Sequence, residues 1–185
     1  GSITGESSTA EGATHAFVYD EGVMIDLGDL GGNYSYGKSI NLHGEVAGYS
    51  TTANGDTHAF LYDADSRQPM ADIGTLGGAN SYALGINDYG SVVGYSQDSA
   101  GDYCAFLYQD AEMIDLMAFL PEGSEWDALV QAFDINNQGD VLGYGIKNGE
   151  RHLFVLSANA VPAPAAGWLL GFGIIGLFLV RRRQQ

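Results

Sequence analysis

THAFVYD at 14–20 and THAFLYD at 57–63 differ at one position, and they are the first sign that this chain repeats itself. YCAFLYQ at 103–109 and RHLFVLS at 151–157 complete the series. They set His15, His58, Cys104 and His152 in one register at spacings of 43, 46 and 48 residues. In HAFLY, residues His58, Phe60 and Tyr62 fall on one side of an extended chain and Ala59 and Leu61 on the other. That is a period of two with both sides largely apolar, the mark of a short strand covered on both faces.

Working outward, a second element recurs as MIDL at 24–27, MADI at 70–73 and MIDL at 113–116. A hairpin-like element recurs as KSINLHGEVAGYS (38–50), LGINDYGSVVGYS (84–96) and FDINNQGDVLGYG (133–145). In its IN-x-x-G core, Asn87 is suited to bonding its own backbone two residues on, and Gly90 to a left-handed turn. The opening GSITGES aligns with GSVVGYS, so Gly1 falls inside a repeat, and further repeats and a secretion signal are expected upstream.

Each unit holds four apolar stretches too short for helices and cut by Gly, Asn, Asp or Ser. Four strands per unit of about 40 to 50 residues predict an all-β array of stacked blades. A β-solenoid usually has shorter coils. Residues 1–157 are therefore expected to form about three and a half blades, β-propeller-like and incomplete, with no long helix. Strands are expected near 15–19, 24–27, 36–41 and 45–50 and at their repeat equivalents.

The end of the chain is different material. All 23 Asp and Glu precede Val161, so residues 1–160 set 4 basic against 23 acidic side chains, a formal charge of -19. Such a body is a poor partner for nucleic acid. After a linker at 158–164, Ala165–Val180 runs sixteen residues without a charge, and Arg181, Arg182 and Arg183 open a basic tail at 181–185. As a helix that run measures about 24 Å. It is apolar all round, with Trp168 near one end and arginines at the other to extend its reach. A transmembrane helix is predicted over 165–180, with arginines in the cytoplasm and the acidic body across the membrane.

Val161-Pro162-Ala163-Pro164, the apolar run from Trp168 and the closing arginines resemble the PEP-CTERM sorting signal of Gram-negative bacteria. Ala163 stands where that family has Glu. The resemblance implies export, a membrane exosortase as processing partner, and release to the cell surface or an exopolysaccharide matrix. The repeats are similar to the HAF repeats, on HAF at 15–17 and 58–60, DLGDLGG at 26–32, DIGTLGG at 72–78 and the GIN-to-VVGYS hairpin. LPEGSEW at 120–126 is similar to the variant of the last unit in such arrays. That resemblance implies an extracellular setting and brings no reaction or ligand.

Candidate chemistry is sparse. His15, His58 and His152 are of metal-ligand type, but equivalent positions of stacked units are spread apart rather than gathered. Asp26, Asp72 and Asp115 read as strand-end carboxylates bonding the amides of the next turn. DADSRQP (63–69) and NNQGD (136–140) lack the alternating oxygens, central Gly and closing Glu of a calcium loop. His43 reads as a solvated turn residue, and Cys104, the one cysteine, as a small apolar strand residue. Glu122, Glu125 and Asp127 beside Trp126 are the one stretch compatible with a glycosidase, set against a longer loop with Trp126 folded over the edge. No cofactor, metal site or catalytic residue is assigned. The chain reads as an exported, non-enzymatic repeat protein, anchored or processed, that binds or scaffolds extracellular polysaccharide or another surface protein. A glycan hydrolase is the alternative.

Overall fold

The computed structural model describes residues 1–64 and 68–157. The linker, the predicted membrane helix and the sorting-signal residues Val161, Pro162, Pro164, Trp168 and Arg181–Arg183 lie outside the described residues.

The described chain is all-β. β1 (Ile3–Ser8), β2 (Thr14–Asp20) and β3 (Val23–Asp26) form a first, three-stranded antiparallel group. Two four-stranded sheets follow. β4 (Gly31–Ile40), β5 (Val46–Thr52), β6 (Thr57–Tyr62) and β7 (Ala71–Asp72) make one, and β8 (Gly77–Ile86), β9 (Val92–Asp98), β10 (Tyr103–Gln109) and β11 (Glu112–Asp115) the other. β12 (Trp126–Ile135), β13 (Val141–Lys147) and β14 (Glu150–Leu156) close the series as a three-stranded sheet. A parallel bridge between Thr14 and Tyr34 joins the first two groups into one seven-stranded sheet. The only helical element among the described residues is a 3₁₀ turn at Leu116–Phe119, which Asp115 caps by accepting from Met117 N. The sheets do not close on themselves.

The expected strands are present, and the third in each unit is longer than its apolar pattern suggested. β4 begins at Gly31 because the LGG segment joins the ladder, with Gly31 opposite Thr52. The core lies between consecutive sheets, in three repeats of one packing scheme. Ala16 and Val18 meet Val46 and Phe60; Ala47 and Ala59 meet Val92 and Phe106; Val93 and Ala105 meet Val141 and Phe154. Phe60 and Phe106 are fully buried, each worth roughly 1.5–3 kcal/mol of burial.

Two sequence positions make that spacing possible. A Cβ on Gly48, Gly94 or Gly143 would strike the carbonyl oxygen of Tyr36, Tyr82 or Gln131 on the adjoining strand, so the VxGY pattern needs glycine. Ser50 and Ser96, fully buried one turn of the pleat later, accept from Leu30 N and Leu76 N at 2.9 Å and satisfy amides that the ladder leaves free. The tyrosines before those serines pair across strands, Tyr36 with Tyr49 and Tyr82 with Tyr95, at centroid separations of 5.0 and 4.7 Å. Tyr49 reaches Tyr82 of the next sheet at 5.1 Å, and burial followed by the neighbouring tyrosines pushes the Tyr95 hydroxyl up to about 12.

Candidate functional site

The hairpin register builds the outer corner of each unit. Phe17 lies opposite Asp26 and Phe60 opposite Asp72, which brings the histidine two residues upstream to the same corner. His15 Nδ1 lies 2.9 Å from Asp26 Oδ1, and its Nε2 lies 3.1 Å from Asp29 Oδ2. Burial disfavours a charged ring here, but the hydrogen bonds and charges of Asp26 and Asp29 outweigh it and raise the His15 pKa. Burial likewise opposes the Asp26 carboxylate, yet His15 and the Gly28 amide hold its pKa below the usual range. His58 Nδ1 meets Asp72 Oδ2 at 2.7 Å.

In the third unit the equivalent of the histidine is Cys104. Burial first, then Asp115, Asp98 and Asp102, push its thiol up to about 11, so it is held protonated. His152 instead packs edge-on against Trp126 at 6.4 Å. The aspartates do bond the following turns, Asp26 to Gly28 N, Asp72 to Gly74 N and Asp115 to Met117 N, each at 2.8 Å. The sequence reading treated the histidine and aspartate series separately, and the structure makes them one corner. The available signal was that each THAF segment is followed, 11 or 14 residues after its histidine, by the aspartate of the next short apolar element. Each corner uses its own sheet's residues, and the two ring nitrogens of His15 are both committed to carboxylates. This is the chemistry of a clamp, with no free nitrogen at His15 to act as a base.

The 121–127 stretch departs from its expected form. Trp126 is the first residue of β12, half-buried, with its ring 6.0 Å from Phe154 and packed on the last core cluster. It is a strand residue because Trp126 pairs with Lys147 and extends the β12–β13 ladder. Glu125 forms an ion pair with Lys147 at 2.6 Å, Asp127 accepts from Gly149 N at 2.8 Å, and Glu122 is exposed.

The inter-strand turns build a concave surface that sequence reasoning saw only one at a time. Within each turn an Asn side chain folds the backbone: Asn41 Oδ1 accepts from Glu45 N and Asn87 Oδ1 from Ser91 N at 3.0 Å, and Asn136 Oδ1 from Asp140 N at 2.8 Å. The same side chains then reach the next unit. Asn41 Nδ2 donates to Asn87 O at 3.0 Å, and Asn87 Nδ2 to Asn136 O at 3.2 Å. Alongside, Asp88 Oδ1 accepts from Leu42 N at 3.0 Å, and Asp88 N donates to Asn137 Oδ1 at 2.9 Å. Leu42 N and Asn137 Nδ2, both bonded to Asp88, lower its pKa. The three turns, with Gly1 and Ser2, line a cavity of about 620 Å³ in which Ile40, Leu42, Ile86 and Ile135 stand beside the amide and carboxylate groups. Tyr89 and Leu42, 78% and 87% exposed, stand out from the same turns. His43, read as solvated, is exposed here. The signal for this surface was Asn at one position of three consecutive units.

No family model matches the chain, and no curated protein matches it. Among solved structures it is similar to TolB from Acinetobacter baumannii, at a TM-score of 0.57 and 14% identity. The match covers 87% of this chain and 39% of the TolB chain. The described array is thus β-propeller-like in fold, and the chain spans well under half the length of that protein. At this identity the likeness is one of fold alone.

Proposed function

We propose that this chain is an exported repeat protein whose array binds extracellular polysaccharide at the Asn-lined cavity, with the segment after Ser157 as its membrane anchor or sorting signal. The observation that carries the reading is the row of Asn41, Asn87, Asn136, Asp88 and Asn137 around one open cavity. Asp88 and Asn137, each with hydrogen-bonding capacity left after the bonds that hold the row together, face a repeating, hydroxyl-rich ligand, and Tyr89 offers a ring to a sugar face. In this reading the role is binding or scaffolding rather than turnover.

The localisation rests on the division of the chain into a body with every carboxylate and a tail with none. An exosortase-type enzyme acting near Pro162 and Pro164 would separate them, and Arg181, Arg182 and Arg183 would fix the far end in the cytoplasm. The hydrolase alternative gains no support from the geometry, because Glu125 and Asp127 are tied to Lys147 and Gly149.

The test uses the full chain expressed in a Gram-negative host with an exosortase. Binding of the purified protein to that host's exopolysaccharide, lost in Tyr89→Ala and weakened in Asn137→Ala, is the expected result. Unchanged binding in both variants would remove the cavity from the reading. The mass of the exported protein separates anchor from processing: a form still ending in the arginines is an anchored protein.

A further inference from the structure

The cavity between the three turns carries a sign as well as a shape. Among the described residues its lining holds one ionised side chain, Asp88, and neither lysine nor arginine. Two more carboxylates belong to the same turns, at one repeat position: Glu45 in the first and Asp140 in the third, with Ser91 between them. Glu45 Oε2 accepts from Asn41 Nδ2, and Asp140 Oδ2 accepts from Asn136 Nδ2 at 3.0 Å. Both acids are thus fixed by the asparagines that build the row. The Leu42 amide and Asn137 hold Asp88 below the usual carboxylate range, and Asn136 and Ser157 do the same for Asp140. Both carry their charge at neutral pH.

The described lysines and arginines are engaged elsewhere. Lys147 is paired with Glu125 at 2.6 Å, Arg151 lies 3.6 Å over the Tyr144 ring, and Lys38 lies 6.0 Å from the Tyr49 centroid. His43, exposed on the first turn, is a basic group whose charge acts on Asp88. Around them the body has a formal charge of -19 over residues 1–160.

A polysaccharide is read along its length, so any charge it bears recurs with its own repeat. An acidic chain laid along the turns would set anions against Asp88, with Glu45 and Asp140 to either side. Contacts inside a cavity of this size are shorter than the Debye length of about 8 Å at physiological salt, so screening does not remove the repulsion. Like charges placed this way reject a partner. An uncharged chain meets no such opposition: its hydroxyls can use the capacity left on Asp88 and Asn137, and the C–H faces of its rings can pack on Leu42 and Tyr89.

Granted the cavity as the binding site, we propose that its ligand is a neutral glycan and that Glu45, Asp88 and Asp140 exclude uronic-acid and sulfated chains.

The full chain is immobilised and offered one exopolysaccharide, that of the host, in two forms: with its carboxyls reduced to alcohols, and with its primary hydroxyls oxidised to carboxylates. The expected result in physiological salt is retention of the reduced form, tighter than that of the oxidised form by on the order of tenfold or more. Equal retention, or tighter retention of the oxidised form with or without added calcium, overturns the charge selection and leaves the cavity reading standing. Retention of neither form overturns both. In a second arm, Glu45→Gln with Asp140→Asn keeps an acceptor oxygen for Asn41 and Asn136 but removes two charges. Its retention of the oxidised form relative to the reduced form should rise several-fold. An unchanged ratio in a variant that melts like the parent removes Glu45 and Asp140 from the selection.

Discussion

The sheets β4–β7 and β8–β11 share one interior but close their outer corners with different chemistry. Gly48 and Ser50 recur as Gly94 and Ser96, in the same contacts with the adjoining strand and the LGG segment. At the corner, His58 bonded to Asp72 becomes Cys104 beside Asp115. The interior positions are set by atoms that have nowhere to go: a carbonyl oxygen within reach of any added Cβ, an amide whose acceptor is a fully buried hydroxyl. The corner is half in solvent, with the Asp72 side chain 41% exposed, and asks only for a polar group that closes a turn. Identity across the repeats therefore follows steric and desolvation cost more than charge.

The strongest test of that contrast is Gly94→Ala. Its Cβ would strike the Tyr82 carbonyl and force the β8–β9 ladder apart, and the expected loss is about 3 kcal/mol or more. Chemical denaturation of the full chain measures it, and a loss below about 1 kcal/mol would show that the ladder yields. Ser96→Ala comes next. It leaves the part-buried Leu76 amide without its acceptor, for an expected cost of about 1–3 kcal/mol. Ser96→Thr, which keeps the hydroxyl but adds a methyl to a filled site, should not restore the full stability.

These interior features account for most of what could be read from the residues alone. Period-two runs such as HAFLY and the IN-x-x-G turns give away the strands and the stacking, because alternation and left-handed glycines act within a few residues. Gly90, expected in a left-handed turn, has φ +76°. The unread parts depend on register between strands. Nothing local says that the ring of His15 lands on Asp26, or that Asn41 reaches across to Asn87 46 residues later. Trp126 was read as a loop residue because PEGSE is rich in turn formers, whereas its pairing with Lys147 decides its place.

His58→Cys imports the third unit's corner into the second. With Asp72 still bonded to Gly74 N, the turn keeps its closure and only the partly exposed contact between His58 and Asp72 is lost. The expected change is within about 1 kcal/mol, read as a shift of a few degrees at most in the thermal midpoint. A much larger loss would mean that the imidazole itself holds the corner, and that Cys104 is tolerated only because the third unit has compensated elsewhere.

The smallest effect is a pH dependence confined to the first corner. His15 has a pKa raised above its unfolded value, so its contribution is complete below about pH 6.5 and is lost as pH rises through the raised value. Asp26 has a lowered pKa, so its contribution is present above about pH 3.9 and is lost as pH falls through the lowered value. Both are at full strength between those limits, near pH 5. The Asp26 side chain is 59% exposed, and solvent screening holds the pair to less than about 1 kcal/mol. The full chain and His15→Gln should therefore differ most in midpoint near pH 5 and converge as pH passes the raised His15 value. The imidazole resonances of His15 should titrate above the ordinary histidine value. A difference that stayed constant across neutral pH would mean that the ring holds Asp26 and Asp29 without its charge. The corner would then be a hydrogen-bonded turn closure like that of the third unit, with the same dispensable chemistry.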